Sequence, residues 1–94
     1  MGVRSRLQAL RVMAAERLRA LPPESEERDV IVEGKKQTIV TWHDEPTSGH
    51  HRFVVAAYVP AMLGLASRVT AVGFMLEPDG RIRDLTDEEL SRFQ

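Results

Sequence analysis

Two runs of β-branched, aliphatic and aromatic residues in the segment 37–59 most constrain how this chain can fold. Runs of this kind are typical of β-strands, and Pro46, Ser48 and Gly49 between them are residues that favour turns. The segment therefore predicts a β-hairpin. All three histidines and the only tryptophan lie in or beside its turn, so the hairpin is also the first place to look for a functional site.

The segments on either side of the hairpin predict both helices and strands. Residues 3–21 carry apolar side chains at helical spacing and end at two prolines, which indicates a long N-terminal helix. Residues 29–33, 69–76 and 81–83 are interpreted as further strands, and residues 24–27 as a solvated linker. Thr86 and Glu89 have the spacing of a capping box, which predicts a short C-terminal helix.

Short turns between consecutive strands favour an antiparallel meander. We therefore predict an α+β two-layer sandwich, in which the long N-terminal helix packs on a four- to five-stranded antiparallel meander and a short C-terminal helix follows. The 94 residues suffice for one domain, residues 1–94, because two separate cores would each bury too little surface. A hydrophobic fraction of 43% with 29% charged residues is ordinary for a soluble globular chain.

Both faces of the two central strands are apolar, since residues 53–59 and 69–76 do not alternate with polar residues. One amphipathic helix covers only part of one face. The second face is expected to be covered by residues 61–66, by the C-terminal helix or by another subunit, and we predict a homodimer or another protein bound there. Core packing explains the same residues equally well. The candidate contact residues are Tyr58, Met62, Leu63, Leu65 and Met75.

The hairpin tip carries side chains that suit a divalent metal ion. Imidazole and carboxylate groups bind zinc and nickel, but the spacing here matches no known metal-binding signature. The alternative is a polar turn with solvated histidines. The candidate ligands are His43, Asp44, His50 and His51.

Strand register decides which of these side chains share a face of the sheet. We expect Trp42 opposite Phe53, because that pairing buries two large rings together. It would place His43 opposite Arg52. A slip of one residue would instead set His43 opposite His51 and reverse the relative faces of the two strands.

The N-terminal segment is basic although the whole chain has a formal net charge of −1. Arg4, Arg11 and Arg19 are candidates for contact with an anionic partner such as nucleic acid. The alternative is that arginines solvate the outer side of a packed helix. The acidic remainder of the chain argues against nucleic acid.

The absence of cysteine excludes disulfides and thiolate metal ligands. Arginines interrupt the N-terminus, which has no apolar run of signal-peptide length, so we expect a cytoplasmic protein. We predict a small non-catalytic protein-interaction or regulatory module, with no cofactor and no assigned catalytic residue. A divalent-metal-binding protein or metal-dependent hydrolase is the alternative, and a nucleic-acid-binding protein is the second alternative.

Overall fold

The computed structural model describes residues 3–32, 34–60 and 66–92. None of the helices in these ranges has the length and apolar character that crossing a bilayer requires. In chain order the elements are α1 (Val3–Arg11), α2 (Ala15–Arg19), β1 (Glu24–Val32), β2 (Lys35–Thr47), β3 (His50–Pro60), β4 (Ala66–Leu76), β5 (Ile82–Asp84) and α3 (Asp87–Arg92).

The five described strands form one antiparallel sheet with the order β1-β2-β3-β4-β5. Each strand pairs with the next one along the chain, as short turns require. The α+β class and the antiparallel meander are therefore confirmed. The capping box at the start of α3 is confirmed as well, because Thr86 and Glu89 exchange hydrogen bonds between their side chains and backbone amides.

The prediction of a long N-terminal helix is wrong. Helix α1 ends at Arg11, and Ala14 has φ −62° and ψ 143°, an extended conformation that separates α1 from α2. Alanine itself favours helix, so the break has a tertiary cause. On either side of the break, Leu10 of α1 and Leu18 of α2 both reach the same hydrophobic core. Val12, in the connection, is 72% exposed.

Strand β1 begins at Glu24, so residues 24–27 belong to the sheet and not to a solvated linker. They pair with β2 from Glu24 opposite Trp42 to Glu27 opposite Ile39, and an irregularity follows before Val30. The strand lies at the edge of the sheet, where charged side chains remain in solvent while the backbone is paired on one side only. Its acidic sequence is therefore compatible with a strand, which hydrophobic periodicity alone does not detect.

The register of the central hairpin differs from the expected one. Trp42 lies opposite Val54 and His43 lies opposite Phe53. The strands extend to Thr47 and from His50, so the turn is only Ser48–Gly49, with Gly49 at φ 80°. An irregularity between Asp44 and Thr47 supplies the offset. The expected pairing of Trp42 with Phe53 is therefore wrong, and the two rings lie on opposite faces.

We call the face of the sheet covered by α1 and α2 the inner face, and the opposite one the outer face. The buried residues of the inner core are Val3, Leu10, Leu18, Ile39, Phe53, Val55, Ala57, Phe74 and Leu76. On the outer face Leu85 and Leu90 pack against Val54 and Met75. The C-terminal segment thus covers part of the second apolar face within the same chain.

The α3 cap predicts a measurable contribution to stability. Hydrogen bonds from Arg83 and then from the Thr86 amide lower the pKa of Glu89 from its ordinary value of 4.5 to about 2. The ionised Glu89 side chain therefore stabilises the folded state above pH 4.5, and this stabilisation is lost as the pH falls towards 2.

Thr86→Ala should lower the free energy of unfolding at neutral pH by about 1 kcal/mol, as measured by urea denaturation.

Thr86→Ser keeps the hydroxyl that accepts the Glu89 amide and should unfold like the wild type. In Glu89→Gln the free energy of unfolding should no longer fall between pH 4.5 and 2 through protonation of this side chain. Equal stability of Thr86→Ala and the wild type would contradict a role for the cap.

Candidate functional site

The structure brings together only part of the predicted histidine cluster. His43 and His51 lie side by side on the inner face, with ring centroids 5.0 Å apart. Asp44 lies on the outer face, where Arg52 Nε donates to its carboxylate at 2.8 Å. His50 is at the turn, with Nδ1 3.3 Å from the Ser48 carbonyl. In the described ranges no three His, Asp or Glu side chains are placed to hold a metal ion.

A chain of polar contacts runs through the two histidines. His43 Nδ1 lies 2.9 Å from the Leu21 carbonyl oxygen, and His43 Nε2 lies 2.8 Å from His51 Nδ1. His51 Nε2 in turn lies 3.7 Å from the carboxylate of Glu45. The Glu45 carboxylate also accepts the Gly49 amide at 2.8 Å. The two imidazoles therefore connect the hairpin tip with the segment that follows α2.

His43 is fixed from several directions. Its ring stacks on Phe53 with a centroid distance of 4.5 Å and an interplanar angle of 11°. Its backbone amide donates to the carbonyl oxygen of Pro23 at 2.9 Å, two residues after Leu21, whose carbonyl oxygen contacts the ring. His43 therefore anchors residues 21–23 to β2 with both its backbone and its side chain.

Each of the four ring nitrogens of His43 and His51 faces a partner within the protein. A general base needs a nitrogen that can reach the proton of a substrate. A metal ligand needs a lone pair directed at the ion, whereas His43 Nε2 and His51 Nδ1 are directed at each other. The geometry therefore suits a structural anchor better than general-base catalysis or metal binding.

The outer face carries an aromatic pair of Tyr58, which the sequence predicts as a contact residue, and Trp42, which it does not. Trp42 and Tyr58 are half-buried and meet edge to face, with centroids 6.2 Å apart and planes at 82°. Trp42 Nε1 donates to Glu24 at 2.8 Å. The signal that could have identified Trp42 was its register, because pairing with Val54 places it on the outer face.

The other candidate contact residues differ in position. Tyr58 belongs to the aromatic pair, whereas Met75 is buried under the C-terminal segment. Met62, Leu63 and Leu65 lie outside the described residues. The described large apolar side chains with the greatest exposure are instead Val12 and Ile31.

Two of the three candidate arginines are engaged within the chain. Arg11 forms an ion pair with Asp84, the last residue of β5. Arg19 Nη2 lies 3.4 Å from the carbonyl oxygen of Glu77 and 3.3 Å from that of Pro78. Both fasten the helix layer to the β4–β5 end of the sheet, while Arg4 is exposed. Internal contacts thus give two of the three candidate arginines a role within the fold.

Comparisons of the chain with protein-family models, with curated proteins and with solved structures gave no match.

Proposed function

We propose that this chain is a small non-catalytic interaction module that associates with a second copy of itself through the outer face of its sheet. The observation that carries the proposal is the partly exposed pair of Trp42 and Tyr58 on that face. Tryptophan and tyrosine are enriched in the cores of protein interfaces and often provide most of the binding energy.

The aromatic surface is rigid before any partner binds. The two rings contact each other, and the Trp42 indole N–H is already satisfied by Glu24. Beneath them Val54 and Ala56 are fully buried, so the surface has a packed base. A surface that is ordered in advance loses little side-chain entropy on association. The cross-strand ion pair of Asp44 and Arg52 lies on the same face and supplies a polar border.

The exposed area supports a second copy as the occupant. The chain exposes 6222 Å², whereas a compact monomer of 10.6 kDa exposes about 5,500 Å². This chain thus leaves more surface open to a partner than a compact monomer of its mass does. Twofold pairing needs only one self-complementary surface, and twofold dimers are the commonest assemblies.

Sedimentation equilibrium of the wild type and of Trp42→Lys tests the proposal. We expect a wild-type dimer, and the lysine should weaken dimerisation by about 30-fold or more, because losing a central aromatic contact costs at least about 2 kcal/mol. Val12→Lys is the matched control, since it also replaces an apolar side chain with lysine but lies in the α1–α2 connection. It should dimerise like the wild type.

Circular dichroism should confirm that Trp42→Lys is folded, and Tyr58→Lys serves as the second variant on the same surface. A wild type that remains monomeric at high concentration would overturn self-association. A dimer that survives both lysine substitutions would show that another surface forms the interface. Cytoplasmic location stays a prediction.

A further inference from the structure

Strand β1 has a neighbouring strand on one side only. It is an end strand of the sheet, and among the described residues only β2 pairs with it. The other end strand, β5, has three residues and leads into the segment that covers part of the outer face. Strand β1 has nine residues, which corresponds to about 30 Å of extended backbone. It is therefore the longer of the two edges of the sheet.

The pairing with β2 determines which backbone groups of β1 face the open edge. The His43 amide donates to the carbonyl oxygen of Pro23, directly before β1. In an antiparallel ladder, hydrogen-bonded and non-hydrogen-bonded pairs alternate along the strands. The backbone groups of Ser25 are therefore bonded to β2, whereas the N–H and C=O groups of Glu24 and Glu26 point away from it. These groups can pair with an added strand.

The side chains of β1 are mostly acidic. The strand contains four carboxylates and one arginine, which leaves a net charge of −3. Glu24, Glu26 and Glu27 are exposed. Opposite charges on directly facing residues of neighbouring strands stabilise the pairing, and like charges destabilise it. The edge therefore favours a positively charged strand.

A second copy of β1 does not meet this requirement, because antiparallel pairing along residues 24–27 would bring two acidic strands together. A bulge between Glu27 and Val30, with Asp29 at φ 57°, ends the regular part of the edge. Charged side chains and bulges limit edge-to-edge association of identical chains. We infer that residues 24–27 bind an extended basic segment of another protein as an added strand. This edge lies beside the outer face, so the inference does not depend on self-association.

Hydrogen exchange measured by nuclear magnetic resonance tests the added strand. The probe is the peptide acetyl-Thr-Lys-Val-Lys-Val-Lys-Thr-amide, whose alternate lysines can lie opposite Glu24 and Glu26. Saturating peptide should slow exchange of the Glu26 amide about tenfold, because this amide gains a hydrogen bond between strands. The Ser25 amide, which is already bonded to β2, should change less.

Two further peptides separate hydrogen bonding from charge. A peptide with glutamate in place of each lysine should not bind, because its charges would be repelled by β1. A peptide with a methyl group on the backbone nitrogen of each lysine keeps the positive charge but lacks the N–H groups that pair with an edge. It should leave the Glu26 amide exchanging as it does in the free chain.

Charge reversal on β1 provides the matched variants. Glu26→Lys should weaken binding of the lysine peptide about tenfold, because an attractive cross-strand pair becomes a repulsive one. The variant also removes the ion pair of Glu26 with Arg28, which is exposed and contributes little to folding. Glu16→Lys makes the same change of net charge on an exposed side chain of α2. It should bind the peptide like the wild type.

Three results would overturn the inference. The first is a Glu26 amide whose exchange is unchanged at saturating lysine peptide. The second is equal protection by the N-methylated peptide, which would show a contact of charge alone. The third is protection in the free chain that grows with its concentration, since a second copy would then occupy the edge. The wild-type measurements decide all three even if Glu26→Lys fails to fold.

Discussion

Phe53→Ala is expected to lower the free energy of unfolding by about 3–5 kcal/mol, the largest effect of any substitution considered for this chain. Phe53 is fully buried and lies in β3, the central strand of the sheet. One side of its ring stacks on Phe74 with centroids 5.1 Å apart, and another contact is with the His43 ring at 4.5 Å. Alanine would leave a cavity between the sheet and the helix layer, which the paired strands cannot close.

Phe53→Leu is the matched control. It keeps most of the buried volume but removes the flat surface on which His43 stacks, so its cost should be below about 1.5 kcal/mol. Urea denaturation at neutral pH measures both losses. If Phe53→Ala cost no more than Phe53→Leu, the ring would not fill a closely packed core. If Phe53→Leu also altered the tautomer of His43, the stacking contact would be needed to orient the imidazole.

Much of the sheet could be predicted because its signals are local. Residues 53–59 and 69–76 have strand composition, and the turn residues between elements have known conformational preferences. The cap of α3 depends only on Thr86 and Glu89, three positions apart. Two local predictions nevertheless failed. The break before α2 occurs at Ala14, a good helix former, and β1 includes four charged or polar residues that resemble a linker.

The candidate site was less predictable because it depends on one residue of register. With Trp42 opposite Phe53, His43 and His51 would lie on opposite faces and no imidazole pair could form. In the observed register His43 and His51 share the inner face and Trp42 moves to the outer one. The strand register is set by the two-residue turn and by the irregularity between Asp44 and Thr47 of β2. Neither feature has a distinct hydrophobic pattern in the sequence. A single structural detail thus decides both the histidine pair and the aromatic surface.

Gly73→Ala is expected to lower the free energy of unfolding by about 2–3 kcal/mol, because the close packing around Gly73 leaves no space for a methyl group. A Cβ atom at this position would lie 2.5 Å from the Phe53 carbonyl oxygen and 2.7 Å from Leu85 Cδ1. The Phe53 oxygen belongs to the backbone of the central strand and cannot move without disturbing the pairing of β3 with β4. Leu85 can shift, but its amide is hydrogen-bonded to the Gly73 carbonyl at 3.0 Å.

A double-mutant cycle with Leu85→Ala identifies which collision dominates. If the backbone contact with Phe53 is decisive, the costs of Gly73→Ala and Leu85→Ala should add within about 0.5 kcal/mol. If the collision with Leu85 dominates, the double variant should recover most of the loss caused by Gly73→Ala. Urea denaturation of the four proteins gives the coupling energy. A neutral or stabilising Gly73→Ala would contradict the pairing of Gly73 with Val54, and with it the path by which the C-terminal segment covers the outer face.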